Sequence, residues 1–571
     1  QDFTSGTLTC NATCTGFDAS QCVTTNPNPG NTTWVPPIGI PIPSFGITEQ
    51  APPVPNPWTS PTPGFYYICT SCAGATDSSN PYGTPTLPRK SMPLSIPAGA
   101  VVELHGNIYR DCGAVCNYDS PNIIIANGTA LAPVFIRGVS ASDKPKIIAG
   151  WSVRGTYVIF ENLEFADADG DLTGGRAGKF SVSSPSDHLV LRYSDVHGNL
   201  LSGGISVASF TAELIQDIVI YNNTVHDNGD VNSTGDQDVH GIAVGTNVNH
   251  LWIIDNTSTR NSGSGIVVSA GAGRNADTHH IYIGRNHVYN TRQAGIGIKQ
   301  SSDVIISQNT VHDILTNPST AGSSPSKGIG FQYGPERLWI IYNHSYNNGF
   351  GLYAGSNLAN PGLYQYAIGN IIHDIHCTYV DPNCTYSGTS AWQTAGIMWA
   401  GGTNRYFINN TIWNSDSGIH VPGSGNVHAV NNIIDQPTQT NGHQMFFEGT
   451  PMTYDIRNNL FIPPFKAKRT TTEYTTLSSW ELFTNGSGDI VATPQFLAPG
   501  DYHLTTGSSG IDQGTISDVY QTFYNLYGLD IKKDFDGNPR PQGAGWDIGA
   551  YEYNSGGLPP AQTCGNNVRE G

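Results

Sequence analysis

Charge is scarce in this 571-residue chain: only 12% of its residues are Asp, Glu, Lys or Arg. Basic residues are scarcer still, 26 Lys plus Arg against 44 Asp plus Glu, for a formal net charge of −18. That balance argues against nucleic acid or an anionic membrane surface as a partner. No apolar run approaches the roughly 18–20 residues that span a bilayer, so no membrane span is expected. No basic-plus-apolar leader precedes Gln1, as expected of a mature, secreted, extracellular chain. A helix-favouring composition is missing too. Glycine (66) and proline (37) are abundant instead, which suits turn-rich β structure.

The ten cysteines are spaced as an exported protein would space them. Cys10, Cys14 and Cys22 cluster first, Cys69/Cys72, Cys112/Cys116 and Cys377/Cys384 follow as near neighbours, and Cys564 stands alone. Near neighbours predict small disulfides that staple loops. Cys69-Thr-Ser-Cys72 has the spacing of half a zinc site but no matching second half.

What the chain does have is a repeat. IVIYNNTVHDN (218–228), LWIIDNTST (251–259), VIISQNTVHD (304–313), LWIIYNHSYN (338–347) and YFINNTIWN (406–414) are each a short apolar strand followed by asparagine. The aligned asparagines are Asn162, Asn223, Asn256, Asn286, Asn309, Asn343, Asn370, Asn410, Asn432 and Asn459. From Asn223 they are spaced 33, 30, 23, 34, 27, 40, 22 and 27 residues apart, the period of a solenoid whose turns vary in length. Asparagine suits the bend because it tolerates the left-handed backbone region and its amide can bond the next coil. A second strand recurs ahead of it: HGIAV (240–244), SGIVV (264–268), AGIGIK (294–299), KGIGFQ (327–332), FGLYA (350–354), AGIMW (395–399) and SGIHV (417–421). Positions one and three after the glycine should point inward, positions two and four outward.

This pattern resembles the right-handed parallel β-helix superfamily that includes pectate lyases and related polysaccharide lyases, epimerases and hydrolases. The expected fold is therefore all-β: a right-handed parallel β-helix with an asparagine ladder over residues 96–470. Residues 1–95, rich in Pro and Gly, read as an extended N-terminal arm. Residues 471–553 are similar to the segment that closes many secreted bacterial β-helix proteins and read as a C-terminal cap. Residues 554–571 read as a tail, similar to the start of a Cys-rich repeat.

In lyases of this superfamily, a cation or an Arg/Asn group neutralises a uronate carboxylate while a Lys or Arg removes the neighbouring C5 proton. The resemblance makes Lys299 the candidate base, at outward position four. Gly297 and Gly330 leave a groove there, with Gln332 on its floor, Tyr353 at its edge, and Arg292 and Lys327 at its side. The alginate-lyase-like members carry a Glu-x-Glu pair before the lysine, where this chain has Thr291, Arg292, Gln293 and Ala294. A second constellation is Asp236, Asp238 and His240, which alternate into a strand as a carboxylate pair with a proton relay would. The alternative for these is an aspartate turn. A third is Asp167, Asp169 and Asp171 of DADGD, several oxygens at one turn, as Ca²⁺ prefers; a plain polar turn is the alternative. Two functions follow. One is a carbohydrate-active enzyme, a lyase or hydrolase, with a polysaccharide in the groove. The other is a non-catalytic structural or adhesive protein that self-assembles into a fibre or surface layer through its arm or open solenoid ends.

Overall fold

The computed structural model describes residues 34–554 except 48–57, 94–95, 107, 110–121, 149, 167–178, 202, 210, 234, 236, 272–274, 317–324, 356–363, 381–393 and 451, together with the strand pair Thr9–Cys10 and Phe17–Asp18. Each coil carries three strands, one more than the sequence pattern suggests. The coil Ala294–Lys299, Ser302–Ser307, Thr310–His312 is representative. Each of these three strands pairs in parallel with its counterpart one coil away, so the chain is a parallel β-helix, right-handed as parallel crossovers are. Parallel pairing already includes Phe65–Ile68, ahead of residue 96, and continues to Ile490–Val491.

Three long sheets result. The glycine sheet holds the xGI strands, among them Ile242–Val244, Lys327–Gln332 and Ile419–Val421. The aromatic sheet holds strands such as Val248–Ile254 and Glu336–Ile341. The third, which we call the histidine sheet, is 14-stranded and includes Thr224–His226 and Thr310–His312. As the alternation predicts, positions one and three of the glycine sheet (Ile242/Val244, Ile296/Ile298, Ile329/Phe331) enter one continuous core.

Buried asparagines join the aromatic and histidine sheets. The backbone N–H and the Nδ2 of each rung both donate to Oδ1 of the next, from Asn223 through Asn256, Asn286, Asn309, Asn343, Asn370, Asn410 and Asn432 to Asn459. Two details differ from the sequence reading. The left-handed residue is the one before each rung (Asn222, Asp255, Arg285, Gln308, Tyr342), so the rung asparagine is there for its amide alone. Asn162 is one of these left-handed residues and not a rung: the ladder ends at Ser194, whose Oγ accepts from Leu163 N–H.

The arm is not free over its described part. Residues 34–47 lie on the outer face of the aromatic sheet, where Ile40, Phe45 and Ile47 are buried. Polar bonds lock the register. Trp252 Nε1 donates to Pro41 O (2.8 Å), Arg285 Nη1 to Val35 O (2.7 Å) and Arg192 Nη1 to Gly46 O (3.0 Å). Each buried apolar side chain contributes roughly 1.5–3 kcal/mol. This stretch is therefore taken up by its own body.

Helix α1 (Leu477–Thr484) closes the interior at the solenoid end, with Trp480 in the core, and helix α2 (Val519–Tyr527) lies across the outer face of the aromatic sheet. Phe523 of α2 packs edge-on to Trp339 (4.8 Å), and Tyr527 Oη accepts from Trp339 Nε1 (3.1 Å). The fully buried Arg540–Glu552 pair (2.7 Å) fastens the following turns. His503 clamps the closing segment, with Nδ1 on Asp501 (2.5 Å), Nε2 on Asp536 (2.8 Å) and Tyr551 stacked on its ring (3.7 Å). Burial works against the imidazolium, but the two carboxylates outweigh it and raise its pKa to about 9. The clamp's stabilisation is full below the unfolded pKa of about 6.5 and lost as pH rises through about 9. Discounted for partial exposure, this is about 1–2 kcal/mol. His503→Gln is expected to flatten the dependence of Tm on pH between those values.

Candidate functional groove

The outward row at position two of the glycine sheet runs in unbroken register through Gly297, Gly330, Tyr353, Met398, His420, Phe446 and Lys468. From Gly330 to Lys468 it climbs five coils, about 24 Å. The glycines do leave room, and Lys327, itself only 6% exposed, fills it. A Cβ at Gly330 would meet Lys327 Cδ at 3.1 Å, so the lysine stem lies along the glycine floor. Its ammonium stands 4.9 Å from the centroid of the Tyr353 ring. Tyr353 is 5% exposed, and burial pushes its phenol up to about 12, so at neutral pH it is a proton donor. At Gly355 an added Cβ would touch both Gln332 Cγ and the Tyr353 hydroxyl at 3.6 Å, so those two groups converge there. Lys299 is half-buried one row over, in register with Ser269 and Gln332. Thus Lys299, Gln332, Tyr353 and Lys327 occupy one neighbourhood.

The other expected residues do not join them. Arg292, expected at the groove's side, is 1% exposed, and its Nη1 and Nη2 donate to Ser233 O (3.1 Å) and Gly235 O (3.0 Å). It holds a loop in place and does not face solvent. Asp238 is exposed and accepts from Gln293 Nε2 (2.8 Å). His240 Nδ1 accepts from Ser264 N–H (2.8 Å). His240 and Lys299 stand two coils and five strand positions apart, about 19 Å between Cα atoms, so they form no single acid–base centre. Asp236 lies outside the described residues, as do Asp167, Asp169, Asp171, Cys112, Cys116 and Cys384. Cys377 is disulfide-bonded, and Cys69–Cys72 is a disulfide, which removes the zinc alternative there.

Sequence reasoning missed the far end of the groove. His420 is 1% exposed, with Nε2 3.2 Å from Glu448 and its ring stacked on Phe446 at 4.6 Å. Lys468 Nζ sits 4.8 Å from the same Phe446 ring. His443 Nε2 meets Glu473 at 3.1 Å, with Lys466 Nζ 3.8 Å from that carboxylate. Burial lowers His443 to about 4, so it is a neutral hydrogen-bond partner. The histidine bonds, aided by Lys468, hold both Glu448 and Glu473 below the usual carboxylate range. A signal for His420 existed, since it is position two of SGIHV. His443 was hidden because Gln444 replaces the repeat's glycine.

Among the described residues, two three-residue groups bring metal-ligating atoms within 4.8 Å: Asp195/His197/His226 and Asp187/His188/Asp217. Both include imidazole, whereas Ca²⁺ prefers an all-oxygen shell. In the first, the His197 and His226 rings stack in parallel (4.7 Å, 6°), so no ion lies in both ring planes.

No family model and no curated protein matches the sequence. Solved structures similar to it include the Azotobacter vinelandii mannuronan C-5 epimerase AlgE4 A-module, at 18% identity, covering 56% of this chain and 87% of that one, TM-score 0.37. Pectate lyase Pel9A is 13% identical over 86% of this chain and 96% of its own, TM-score 0.31. The PL6 family alginate lyase AlyGC is 13% identical over 74% and 56%, TM-score 0.39. At these scores none of them bears on what the chain binds, and the fold stands on its own strand register. No helix among the described residues is long and apolar enough to cross a membrane.

Proposed function

We propose that the chain is an extracellular carbohydrate-active enzyme that cleaves a uronate-containing polysaccharide in this groove by β-elimination. The observation that carries the proposal is the pairing of the Lys327 ammonium with the protonated Tyr353 phenol on the glycine floor. In this reading, Lys327 neutralises the sugar carboxylate, which acidifies C5–H, and Lys299 takes that proton. The C4–O bond then breaks, a C4=C5 double bond forms, and Tyr353 gives its proton to the departing oxygen. Gln332 holds a sugar hydroxyl. Lys466 and Lys468 at the far end are offset by the ionised Glu473 and Glu448, so the positive charge this reading uses is that of Lys327. Hydrolysis is the weaker reading, because Glu448 and Glu473 are held ionised and neither is poised as a general acid. Asp236, Asp238 and His240, expected from the sequence as catalytic, are given no step in this reading, and Ca²⁺ at Asp167, Asp169 and Asp171 is proposed from the sequence alone. The Cys69–Cys72 and Cys377 disulfides support an oxidising, extracellular setting.

The test is the release of unsaturated uronides from a panel of acidic and neutral polysaccharides. Tyr353→Phe and Lys327→Met are each expected to lower kcat about 10²-fold with folding intact. Loss with Lys299→Ala marks the base. Absence of unsaturated product from every acidic polymer, or full activity in Tyr353→Phe, overturns the proposal.

A further inference from the structure

The aromatic sheet carries a second outward row that runs in register from Trp252 through Tyr282, Ile305, Trp339, Tyr366 and Tyr406 to His428 and Asp455. Its first part is roofed by residues 34–47 and by α2. Beyond Trp339 the roof recedes. Trp339 is fully buried, Tyr366 is 4% exposed, and Tyr406 and His428 are half-exposed. The rings stack from coil to coil: Trp339 on Tyr366 at 3.6 Å, Tyr366 on Tyr406 at 4.7 Å, and Tyr406 on His428 at 4.3 Å. Where they emerge, a cleft of about 450 Å³ opens between the ring stack and α2. That size falls within the range of small-ligand pockets, about 300–1,000 Å³.

The arginines of the cleft lining are paired. Arg337 is bonded to Asp303 through two contacts of 2.6 Å, and Arg457 Nε to Asp455 at 2.8 Å. His428 Nδ1 lies 3.3 Å from Asp455. Each guanidinium is matched by a carboxylate and Asp518 adds one more, so the lining has no spare cation with which to pair an acidic ligand. It offers donors and acceptors side by side, which a hydroxyl group, donor and acceptor at once, can satisfy together. Phenol edges of Tyr366 and Tyr406 follow one another at the coil spacing, close to the length of one sugar unit. Tyr364, 41% exposed, and Leu526 of α2, 49% exposed, give apolar rims on opposite sides.

We propose that this cleft is a binding site for a short neutral saccharide, separate from the lysine-bearing groove and on a different sheet. It does not rest on the groove being catalytic. Its use would be to hold a neutral stretch of polymer against the solenoid.

The experiment titrates the full chain with neutral hexaoses (cello-, manno-, xylo- and chito-series) and acidic ones (galacturono- and mannurono-series) by calorimetry. A neutral hexaose is expected to bind, and Tyr406→Ala and, separately, Leu526→Arg, which projects a long cation from α2 into the cleft, should each weaken it at least tenfold. Lys327→Met in the groove should leave that affinity unchanged. Leu526 is exposed on α2, so its variant tests the site without disturbing the core. No binding of any neutral hexaose, or binding that survives Leu526→Arg and fails in Lys327→Met, overturns the proposal. Acidic hexaoses that bind and are lost only in Lys327→Met belong to the groove and also count against a saccharide site here if neutral ones do not bind.

Discussion

Asn343→Ala is expected to destabilise the chain by about 3–4 kcal/mol, with loss of hydrogen-exchange protection at Asn309 N–H. Asn343 Oδ1 accepts from both Asn309 N–H and Asn309 Nδ2, each at 2.9 Å. Its own Nδ2 donates to Ile306 O (2.9 Å), Ile341 O (3.0 Å) and Asn370 Oδ1 (3.1 Å). All of this is sealed from water, since Asn343 is 0% exposed. Alanine strands a backbone donor and several acceptors in the core, each costing about 1–3 kcal/mol less what relaxation recovers. The informative control is Asn222→Ala. Asn222 has φ +51° and stands beside the rung without joining the amide chain. Its loss should cost only the left-handed backbone preference, about 1 kcal/mol. Equal effects from the two variants would mean that the bend, and not the amide chain, holds the coils together.

That contrast also shows where the sequence was legible. Strand identity, inward positions and coil stacking follow from a period-two pattern repeated many times, so errors average out. The rung and the bend residue are adjacent and often both asparagine, as at Asn222–Asn223 and Asn409–Asn410. Pattern alone therefore assigned both properties to one residue and placed Asn162 on the ladder. The groove was legible in part for the same reason. Gly297, Gly330 and Tyr353 are fixed by register, whereas the direction of a lysine stem is not. Nothing in KGIGFQ says that Lys327 folds over Gly330 toward Tyr353 while Lys299 stays at the rim. Likewise, Arg292 was drawn inward by the carbonyls of Ser233 and Gly235, two loop positions 57–59 residues away, which no local pattern encodes. The His420–Glu448 and His443–Glu473 pairs join residues 28 and 30 positions apart across neighbouring coils. Such contacts become visible only once coil lengths are known.

The ladder's last rung sets up a sharper expectation, a stability change that reverses sign with pH. Asn459 N–H (2.7 Å) and Nδ2 (2.9 Å) donate not to another asparagine but to Asp489 Oδ1. Asp489 is 7% exposed and its Oδ2 has no partner, so burial raises its pKa to about 7, with Glu481 adding to the shift. An aspartate has a rationale at this place. A rung asparagine spends amide hydrogens on the coil before and the coil after, and here no further coil follows to accept. A carboxyl that keeps its proton carries one donor hydrogen where an asparagine amide carries two, so it leaves one hydrogen fewer without an acceptor. Below about pH 3.8 both folded and unfolded chains are protonated and nothing is lost. As pH rises from there to about 7, the unfolded chain releases the proton and the folded one retains it, so stability falls. Above about 7 the penalty is complete, about 3–4 kcal/mol for a shift of about three units. Asp489→Asn removes that penalty and strands one amide hydrogen, a cost of about 1–2 kcal/mol. The variant is therefore expected to be more stable than the parent by about 2 kcal/mol at pH 8 and less stable by about 1 kcal/mol at pH 4. Urea midpoints of the two proteins, measured across that range, should cross at about pH 5 on this balance. Parallel curves with no crossing would show that the Asp489 carboxyl titrates like an ordinary surface group, and that the ladder ends without storing a proton.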